Sequence, residues 1–158
     1  MPIRVDSIST GSTLKLGELI GRRLSGGVLI LLQGELGAGK TVFAKGLGRG
    51  LGVVEEITSP SFNLMLRYEG RLRFDHWDLY RLDAIGDDEE FLESVHDNES
   101  VTAVEWGERV RMKPDVPTIV VTLELMEGHE DKRNITFDGD PDLIEKIVKP
   151  SLAEWEDE

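Results

Sequence analysis

The sequence predicts a mixed α/β fold, in which a sheet with a parallel centre and antiparallel hairpins carries helices on both faces. Two segments, VLILL at 28–32 and VTAVE at 101–105, are apolar almost throughout, as in strands buried on both faces. Two further pairs of alternating runs are typical of hairpins. A glycine-rich loop joins the first buried strand to a helical pattern, which favours alternation of strands and helices.

The first half of the chain predicts two helices, a buried strand and a hairpin. Leucines and an isoleucine at helical spacing predict a helix over 13–24, which Gly26 and Gly27 end. After VLILL and the glycine loop, VFAKGLGRGLG predicts a second helix over 42–52. SFNLMLRY at 61–68 and RLRFDHWD at 71–78 then predict two strands of a hairpin.

The second half predicts shorter elements around the second buried strand. DDEEFLESV at 87–95 predicts a helix whose acidic residues suit the positive end of its dipole. TIVVTLEL at 118–125 and KRNITF at 132–137 predict a second hairpin, and residues 142–148 predict a last helix.

Length and composition limit the possible functions. The 158 residues predict one domain over 1–150, followed by a frayed acidic tail over 151–158. The absence of cysteine excludes disulfides, thiolate metal sites and cysteine nucleophiles. No secretory signal is visible, and the longest apolar run, 28–32, is far shorter than the roughly 20 residues of a membrane span. We therefore expect a cytoplasmic protein, and its oligomeric state stays open.

The charge balance argues against direct binding of nucleic acid. Lysine and arginine total 18 and aspartate and glutamate 31, so the net charge is −13. Nucleic acids are held mainly by basic side chains that neutralise phosphates. A role involving DNA or RNA would therefore pass through a partner.

The segment GELGAGKT, residues 34–41, has the pattern G-x-x-x-x-G-K-[ST] of phosphate-binding loops. Glycines allow close backbone approach, and the following helix begins with free N–H groups that favour an anion. We expect Lys40 to reach the β- and γ-phosphates of a nucleotide and Thr41 to bind Mg²⁺. The alternative is a plain glycine turn, but strand, loop and helix in this order favour a P-loop NTPase-like sheet.

A nucleotide site in such a sheet needs a carboxylate at the carboxyl end of a buried strand. Glu105 ends VTAVE, and Asp78 ends RLRFDHWD. Alternation along the strand predicts that Asp75 and Asp78 face opposite sides. The alternatives are a surface acid for Glu105 and a hydrogen-bonded turn for Asp78. Which of these two carboxylates lies closer to a metal stays open.

Other polar and aromatic residues are less informative. His76 is expected to be structural rather than a proton carrier. Trp77 and Tyr80 are expected in the core. The segment Ser59-Pro60-Ser61 is either a turn or a switch loop that senses a γ-phosphate, and the sequence does not decide between them.

Five ordered motifs resemble those of the TsaE family, small bacterial ATPases of tRNA threonylcarbamoyladenosine synthesis. The resemblance extends over roughly residues 13–133, and the motifs are TLKLGELIGRRL, GELGAGKT, TSPSF, HWDLYR and VEWGER. Two positions depart from the family pattern. Val42 stands where members usually have a second threonine, and Ser61 replaces the last threonine of T-S-P-T.

The resemblance implies roles for individual residues. Lys40, Asp78 and Glu105 are expected to be catalytic, with Thr41 and Glu105 as metal ligands. Thr13 is expected near the base, Arg133 near the adenine and Trp106 beside the nucleotide. The full set of implied nucleotide contacts is Thr13, Glu35, Leu36, Gly37, Ala38, Gly39, Lys40, Thr41, Val42, Trp106 and Arg133.

The resemblance also implies a function. ATP and Mg²⁺ are the expected cofactors, and hydrolysis would support a TsaB–TsaD-type complex that modifies adenosine 37 of tRNAs reading ANN codons. The tRNA would be met only through these partners. A nucleotide-dependent switch with little turnover, favoured by Val42, and a small-molecule kinase are the alternatives. We expect Lys40→Ala to abolish hydrolysis and leave the fold intact, on the view that Lys40 lies in a solvent-facing loop.

Overall fold

The computed structural model describes residues 2–60, 63–113 and 115–156. Within these ranges the strands are β1 (Ile3–Ser7), β2 (Val28–Gln33), β3 (Met65–Tyr68), β4 (Arg73–Asp78), β5 (Ser100–Glu105), β6 (Thr118–Met126) and β7 (His129–Gly139). The helices are α1 (Thr10–Arg23), α2 (Lys40–Gly50), α3 (Glu89–His96), α4 (Pro141–Leu143) and α5 (Lys149–Glu156). A 3₁₀ turn follows β5 at Gly107–Arg109, and a π-helical segment, Ile144–Val148, joins α4 to α5.

The described strands form a single sheet in the order β1-β7-β6-β2-β5-β4-β3. Its centre is parallel, because β2 pairs in parallel with β5 and β6, and β5 pairs in parallel with β4. Both predicted hairpins, β3–β4 and β6–β7, are confirmed as antiparallel pairs. The mixed α/β fold is therefore confirmed, with the parallel strands at the centre of the sheet.

Both faces of the sheet are covered, as the apolar run of β2 predicts. Ile30 and Leu32 belong to the core beneath α1 and α2. Leu29 and Leu31 belong to a second core, which includes Phe91 of α3. Because successive side chains of a strand point to opposite faces, one strand contributes to both cores.

The helices α1 and α2 pack with their backbones close together. A Cβ atom on Gly46 would lie 2.3 Å from the carbonyl oxygen of Leu14, and one on Gly21 would lie 2.4 Å from that of Leu47. Only glycine permits such an approach. This contact fixes α2, and with it the loop that precedes α2, against the rest of the fold.

The expectation of a frayed tail from residue 151 is wrong as far as Glu156. Residues of α5 continue the fold, with Ser151 and Leu152 buried. The indole Nε1 of Trp155 donates to the carbonyl oxygen of Ser12 at 3.0 Å. Leu152 and Trp155 lie on one helical face, so local apolar spacing outweighs the acidic composition.

Across residues 2–60, 63–113 and 115–156, every helix is too short or too polar to cross a membrane.

The strand β1 was not predicted. It pairs antiparallel with β7 at the edge of the sheet, from Ile3 opposite Phe137 to Ser7 opposite Arg133. Its five residues are too few to give a strong periodic signal. The strand matters for the site because it brings Ser7 next to α1 and Arg133.

Candidate functional site

The glycine loop, residues 34–41, lies between the end of β2 and the start of α2. Gly34 has φ 145°, and a Cβ atom there would lie 2.4 Å from the carbonyl oxygen of Leu123 on β6. Gly39 has φ 105° and precedes the first helical residue of α2. Side chains rarely adopt these conformations, so the loop follows this path only with glycine at both positions. The amino end of α2 therefore faces the carboxyl edge of the sheet, where anions are favoured.

The Lys40 side chain folds back over the loop. Its Nζ donates to the carbonyl oxygens of Gly34 and Glu35, the latter at 3.0 Å. The same Nζ lies 4.1 Å from the centroid of the Trp106 ring. The loop is solvent-facing as expected, with Glu35, Leu36 and Gly37 exposed, but only 4% of Lys40 itself is exposed. This burial lowers the pKa of Lys40, while the carboxylate of Glu105 opposes the effect.

Thr41 and Glu105 are in direct contact. The Thr41 Oγ1 donates to the Glu105 carboxylate and lies 2.9 Å from both Oε1 and Oε2. Hydroxyl and carboxylate oxygens are ligands that Mg²⁺ accepts. The described residues contain no group of three or more His, Asp or Glu that could hold a metal. The pair therefore fits a cation that takes its remaining ligands from water and substrate phosphates.

Asp78 lies beside Glu105 in the sheet. The two residues are register partners at the carboxyl ends of β4 and β5. Asp78 accepts hydrogen bonds from the Ser59 hydroxyl at 2.9 Å and from the Tyr80 backbone N–H at 3.0 Å. It is therefore both a turn aspartate and part of the cleft. Ser61 and Phe62, the end of the TSPSF motif, lie outside the described residues.

Asp75 faces the opposite side of β4, as alternation predicts. It is fully buried and accepts from Arg67 Nε at 2.9 Å and from the Ser94 hydroxyl of α3 at 2.7 Å. Paired with arginine away from the cleft, Asp75 has a structural role. Asp78 and Glu105 remain as the carboxylates that face the glycine loop.

These residues surround a cleft of about 350 Å³ at the carboxyl edge of the sheet. Its walls are formed by the glycine loop, the start of α2 and the ends of β4 and β5. The lining residues are Leu36, Gly37, Gly39, Lys40, Thr41, Val42, Ser59, Asp78, Tyr80, Glu105 and Trp106. Glu35 lies in the loop and contributes the carbonyl oxygen that accepts from Lys40.

Trp106 forms one wall of the cleft in an unusual backbone conformation. In the described part of the chain it is the one non-glycine residue with positive φ, at 61°. Its ring lies 5.4 Å from that of Tyr80, which is 50% exposed, so the expectation of Tyr80 in the core is wrong. The expectation for Trp77 is confirmed, because that side chain is 2% exposed. Strained backbone of this kind is concentrated at functional sites.

Arg109 was missed as a site residue, although it belongs to the motif VEWGER. Its Cζ lies 4.7 Å from the centroid of the Trp106 ring. Its Nη1 donates to the carbonyl oxygens of Leu79 at 2.9 Å and Leu82 at 3.0 Å. Arg109 thus fixes the turn that carries Tyr80 against Trp106. Its position three residues after Trp106, in a short helical turn, was the available signal.

Thr13 and Arg133, the two residues expected near the base and the adenine, lie on the other side of the glycine loop. Thr13, Val42 and Arg133 line a recess of about 80 Å³ together with Thr10, Gly37, Gly39 and Asp131. Thr13 is buried, with its Oγ1 2.7 Å from the Ser7 hydroxyl. Arg133 donates from Nε to the Ala38 carbonyl oxygen at 3.0 Å and from Nη2 to that of Gly37 at 3.2 Å. The guanidinium therefore holds the loop in this structure.

The imidazole of His76 reaches the cleft from inside the core. It is fully buried, as expected of a structural histidine, and its Nε2 lies 2.7 Å from Glu105 Oε2. Sequence reasoning did not predict this contact, because the two residues lie on different strands. His76 is therefore connected to Thr41 through Glu105.

Comparison with known proteins gives a consistent result. The profile of the family described as threonylcarbamoyl adenosine biosynthesis protein TsaE matches residues 8–135. The chain is 43% identical over 136 residues to the tRNA threonylcarbamoyladenosine biosynthesis protein TsaE of Treponema pallidum, covering 85% of this chain and 98% of that protein. It is 30% identical over 132 residues to the protein of that name from Bacillus subtilis, covering 83% and 82%.

A solved structure has the same fold. The crystal structure of Bacillus subtilis YdiB superposes with a TM-score of 0.74 at 24% sequence identity, covering 98% of this chain and 96% of that one. The likeness extends over nearly the whole of both chains. It therefore includes the sheet and the helices that surround the cleft.

Proposed function

This chain belongs to the TsaE family of threonylcarbamoyl adenosine biosynthesis proteins, and we propose that it binds and hydrolyses ATP with Mg²⁺ in the cleft. Proteins of this family take part in the biosynthesis of tRNA threonylcarbamoyladenosine. The observation that carries the ATPase proposal is the contact of Thr41 with Glu105 at 2.9 Å, directly after Lys40 in the glycine loop.

The loop is suited to a chain of phosphates. Backbone N–H groups at the start of α2 and a buried cation at Lys40 would both favour the negative charge. Nζ now donates to the carbonyl oxygens of Gly34 and Glu35. On nucleotide binding it would exchange these neutral acceptors for phosphate oxygens, which form stronger charge-assisted hydrogen bonds.

Thr41 and Glu105 would hold the cation. Mg²⁺ bound there would neutralise charge on the phosphates during transfer. Thr41 supplies a hydroxyl oxygen and Glu105 a carboxylate, and in this structure the two groups are hydrogen-bonded to each other. The two side chains are thus already in one place, which reduces the ordering cost of forming the site.

Asp78 would orient the attacking water. Its carboxylate adjoins Glu105 in the sheet and accepts from the Ser59 hydroxyl. A carboxylate can accept a hydrogen bond from water and align it with the terminal phosphate. Trp106 and Tyr80 form one wall of the cleft and would limit access of other water to this position. Phosphoryl transfer requires little beyond such positioning and charge stabilisation.

We propose that hydrolysis supports a partner complex rather than direct chemistry on tRNA. The net charge of −13 disfavours binding of tRNA to this chain alone. The proposed partner is a TsaB–TsaD-type complex, which would act on adenosine 37 of tRNAs reading ANN codons. In this arrangement the partners hold the tRNA and the chain supplies a nucleotide-dependent change of state.

A nucleotide-dependent switch with little turnover is a second candidate. The observation in its favour is that Val42 lines the cleft with an apolar side chain. The resemblance implies a second hydroxyl at that position. Without it, binding of ATP would be retained while hydrolysis would be slow.

The test is phosphate release from ATP and Mg²⁺ by the purified chain, with and without a TsaB–TsaD-type pair. Stimulation by the pair would support a partner-dependent ATPase. Firm ATP binding with equally slow release in both cases would support the switch instead. No ATP binding in either case would contradict both. A Val42→Thr variant that accelerates release would locate the cause of slow turnover at that residue.

A further inference from the structure

His76 is buried among apolar residues next to the cleft. It lies on the face of β4 that is covered by α2, and none of its surface is exposed. Its ring stacks on that of Phe74, with centroids 6.0 Å apart and planes 17° from parallel. Its Nε2 lies 2.7 Å from Glu105 Oε2. The hydrogen bond and the stacking together define the orientation of the ring.

The other contacts of Glu105 indicate which group donates in this hydrogen bond. Both oxygens of Glu105 accept from the Thr41 hydroxyl, so the carboxylate acts as an acceptor. A carboxylate oxygen accepts hydrogen bonds, so this contact requires the tautomer of His76 that carries hydrogen on Nε2. The second ring nitrogen, Nδ1, is buried and has no hydrogen-bond partner among the described residues. Within the described part of the chain, the imidazole therefore makes one polar side-chain contact, which is with Glu105.

This arrangement is unfavourable for folding alone. A buried polar atom without a partner costs stability, and such exceptions call for a specific explanation. An apolar side chain of similar size would satisfy this part of the core without that cost. The contact that an apolar residue would lose is the one with Glu105.

We propose that His76 is a positioning residue that fixes the Glu105 carboxylate so that both its oxygens face Thr41 and the cation site. This inference rests on the proposed function, because it assigns Glu105 to the cation. Glu105 is bonded from the core side by His76 and from the loop side by Thr41. The two contacts restrict rotation of the carboxylate. Partners of this kind typically change metal affinity by about 10–100-fold when they are removed.

The main test compares His76→Leu with His76→Gln. Leucine fills the space without a donor, whereas the glutamine amide can donate near the position of Nε2. The measurement is the affinity of the chain for Mn²⁺ in the presence of ATP, determined by electron paramagnetic resonance of the Mn²⁺ ion. We expect His76→Leu to weaken Mn²⁺ binding by about 10-fold or more, and His76→Gln to restore most of it. ATP affinity measured in EDTA should change little in both variants.

A control separates this effect from general damage to the core. Val101 is buried on β5, the strand that carries Glu105. Its side chain belongs to the core beneath α1 and α2, which also contains Phe74. Val101→Ala should lower the unfolding midpoint without changing Mn²⁺ affinity. If His76→Leu changes the unfolding midpoint only, or if His76→Gln is as defective as His76→Leu, the inference is overturned.

A second measurement needs neither cation nor nucleotide. Long-range ¹H–¹⁵N spectra of the free chain report which nitrogen of His76 carries a hydrogen. A protonated Nε2 is expected, and an Nε2 without hydrogen would overturn the inference even if the variants fail to fold. If the wild-type chain binds ATP and Mn²⁺ and the His76 variants bind both with the same affinities, this inference alone is overturned. Wild-type chain that binds neither would overturn the proposed function with it.

Discussion

Arg133 of β7 holds the glycine loop through Ala38, whose carbonyl oxygen accepts from Arg133 Nε at 3.0 Å. A second bond runs from Nη2 to the Gly37 carbonyl oxygen at 3.2 Å. The same guanidinium also donates to the carbonyl oxygens of Glu130 and Lys132 on its own strand. The position that the resemblance implies for adenine recognition thus has contacts that order the glycine loop.

We expect Arg133→Gln to weaken ATP binding by loosening the loop. Loss of charge-assisted bonds to two carbonyls should lower affinity about 10-fold. Hydrogen exchange at residues 34–39 should become faster in the free protein. Lys132→Gln is the matched control, because its side chain is exposed and its neighbour Arg133 stays in place. Weaker ATP binding with unchanged exchange would instead indicate direct contact of Arg133 with the nucleotide.

We expect Lys40→Met to reduce ATP hydrolysis by about 100-fold or more, because a charge that stabilises the transferred phosphate is lost. The burial of Lys40 makes methionine a better choice than alanine, which would leave a cavity beside Trp106. Phosphate release and the urea midpoint are the two measurements. A large fall in the midpoint would mean that Lys40 acts mainly on the fold.

The pH dependence of ATP binding should also depend on Lys40. Burial lowers its pKa below the ordinary value of 10.5, so the positive charge is lost at a lower pH than for an exposed lysine. Wild-type ATP affinity should therefore fall as the pH rises through this lowered pKa. The Lys40→Met variant should show no such step in isothermal titrations, and a step of equal size in both proteins would contradict the assignment.

We expect Gly46→Ala to destabilise the fold through the contact of α1 with α2. The added methyl group would lie 2.3 Å from the carbonyl oxygen of Leu14, so the helices must separate. Overpacking of this kind costs about 1–3 kcal/mol. The control is Gly11→Ala, where the nearest atom to the new Cβ is Ser9 Oγ at 3.9 Å. Chemical denaturation should show a loss of stability for Gly46→Ala only.

The pair of His96 and Asp115 should make stability depend on pH. The hydrogen bond from His96 Nε2 to Asp115 Oδ1, at 2.6 Å, raises the pKa of His96 above 6.5. A raised histidine pKa stabilises the fold below the unfolded value, and this stabilisation is lost as the pH rises through the folded value. The same bond lowers the pKa of Asp115 below 3.8. The stabilisation that the ionised Asp115 gives to the fold is therefore lost only as the pH falls through this lowered pKa.

The measurement is the urea midpoint of wild type and Asp115→Asn at about pH 5.5 and about pH 8.5. The variant should be less stable than wild type at the lower pH, and the two should converge at the higher pH. Both side chains are largely exposed, so the difference should be small and should shrink at high salt. An equal difference at both pH values would mean that the charge of His96 is not involved.

The elements recognised from sequence are those with a short-range signal. The apolar run of β2, the two hairpins and the glycine loop all have patterns contained within about a dozen residues. The loop also carries its own chemistry, because the residue types of GELGAGKT specify close backbone approach, a cation and a hydroxyl. The sequence by itself therefore determined the fold class, the family and the edge of the sheet at which the cleft lies.

Tertiary structure alone decided how the side chains meet at that edge. Arg133 and Ala38 lie 95 positions apart, and His76 and Glu105 lie 29 apart. Such contacts depend on strand order and register, which the packing of all elements sets together and no local period encodes. For the same reason the burial of Lys40 could not be read from a loop motif. Its environment is supplied by Trp106, which directly follows β5, a strand that is distant in sequence and adjacent to β2 only in the folded sheet.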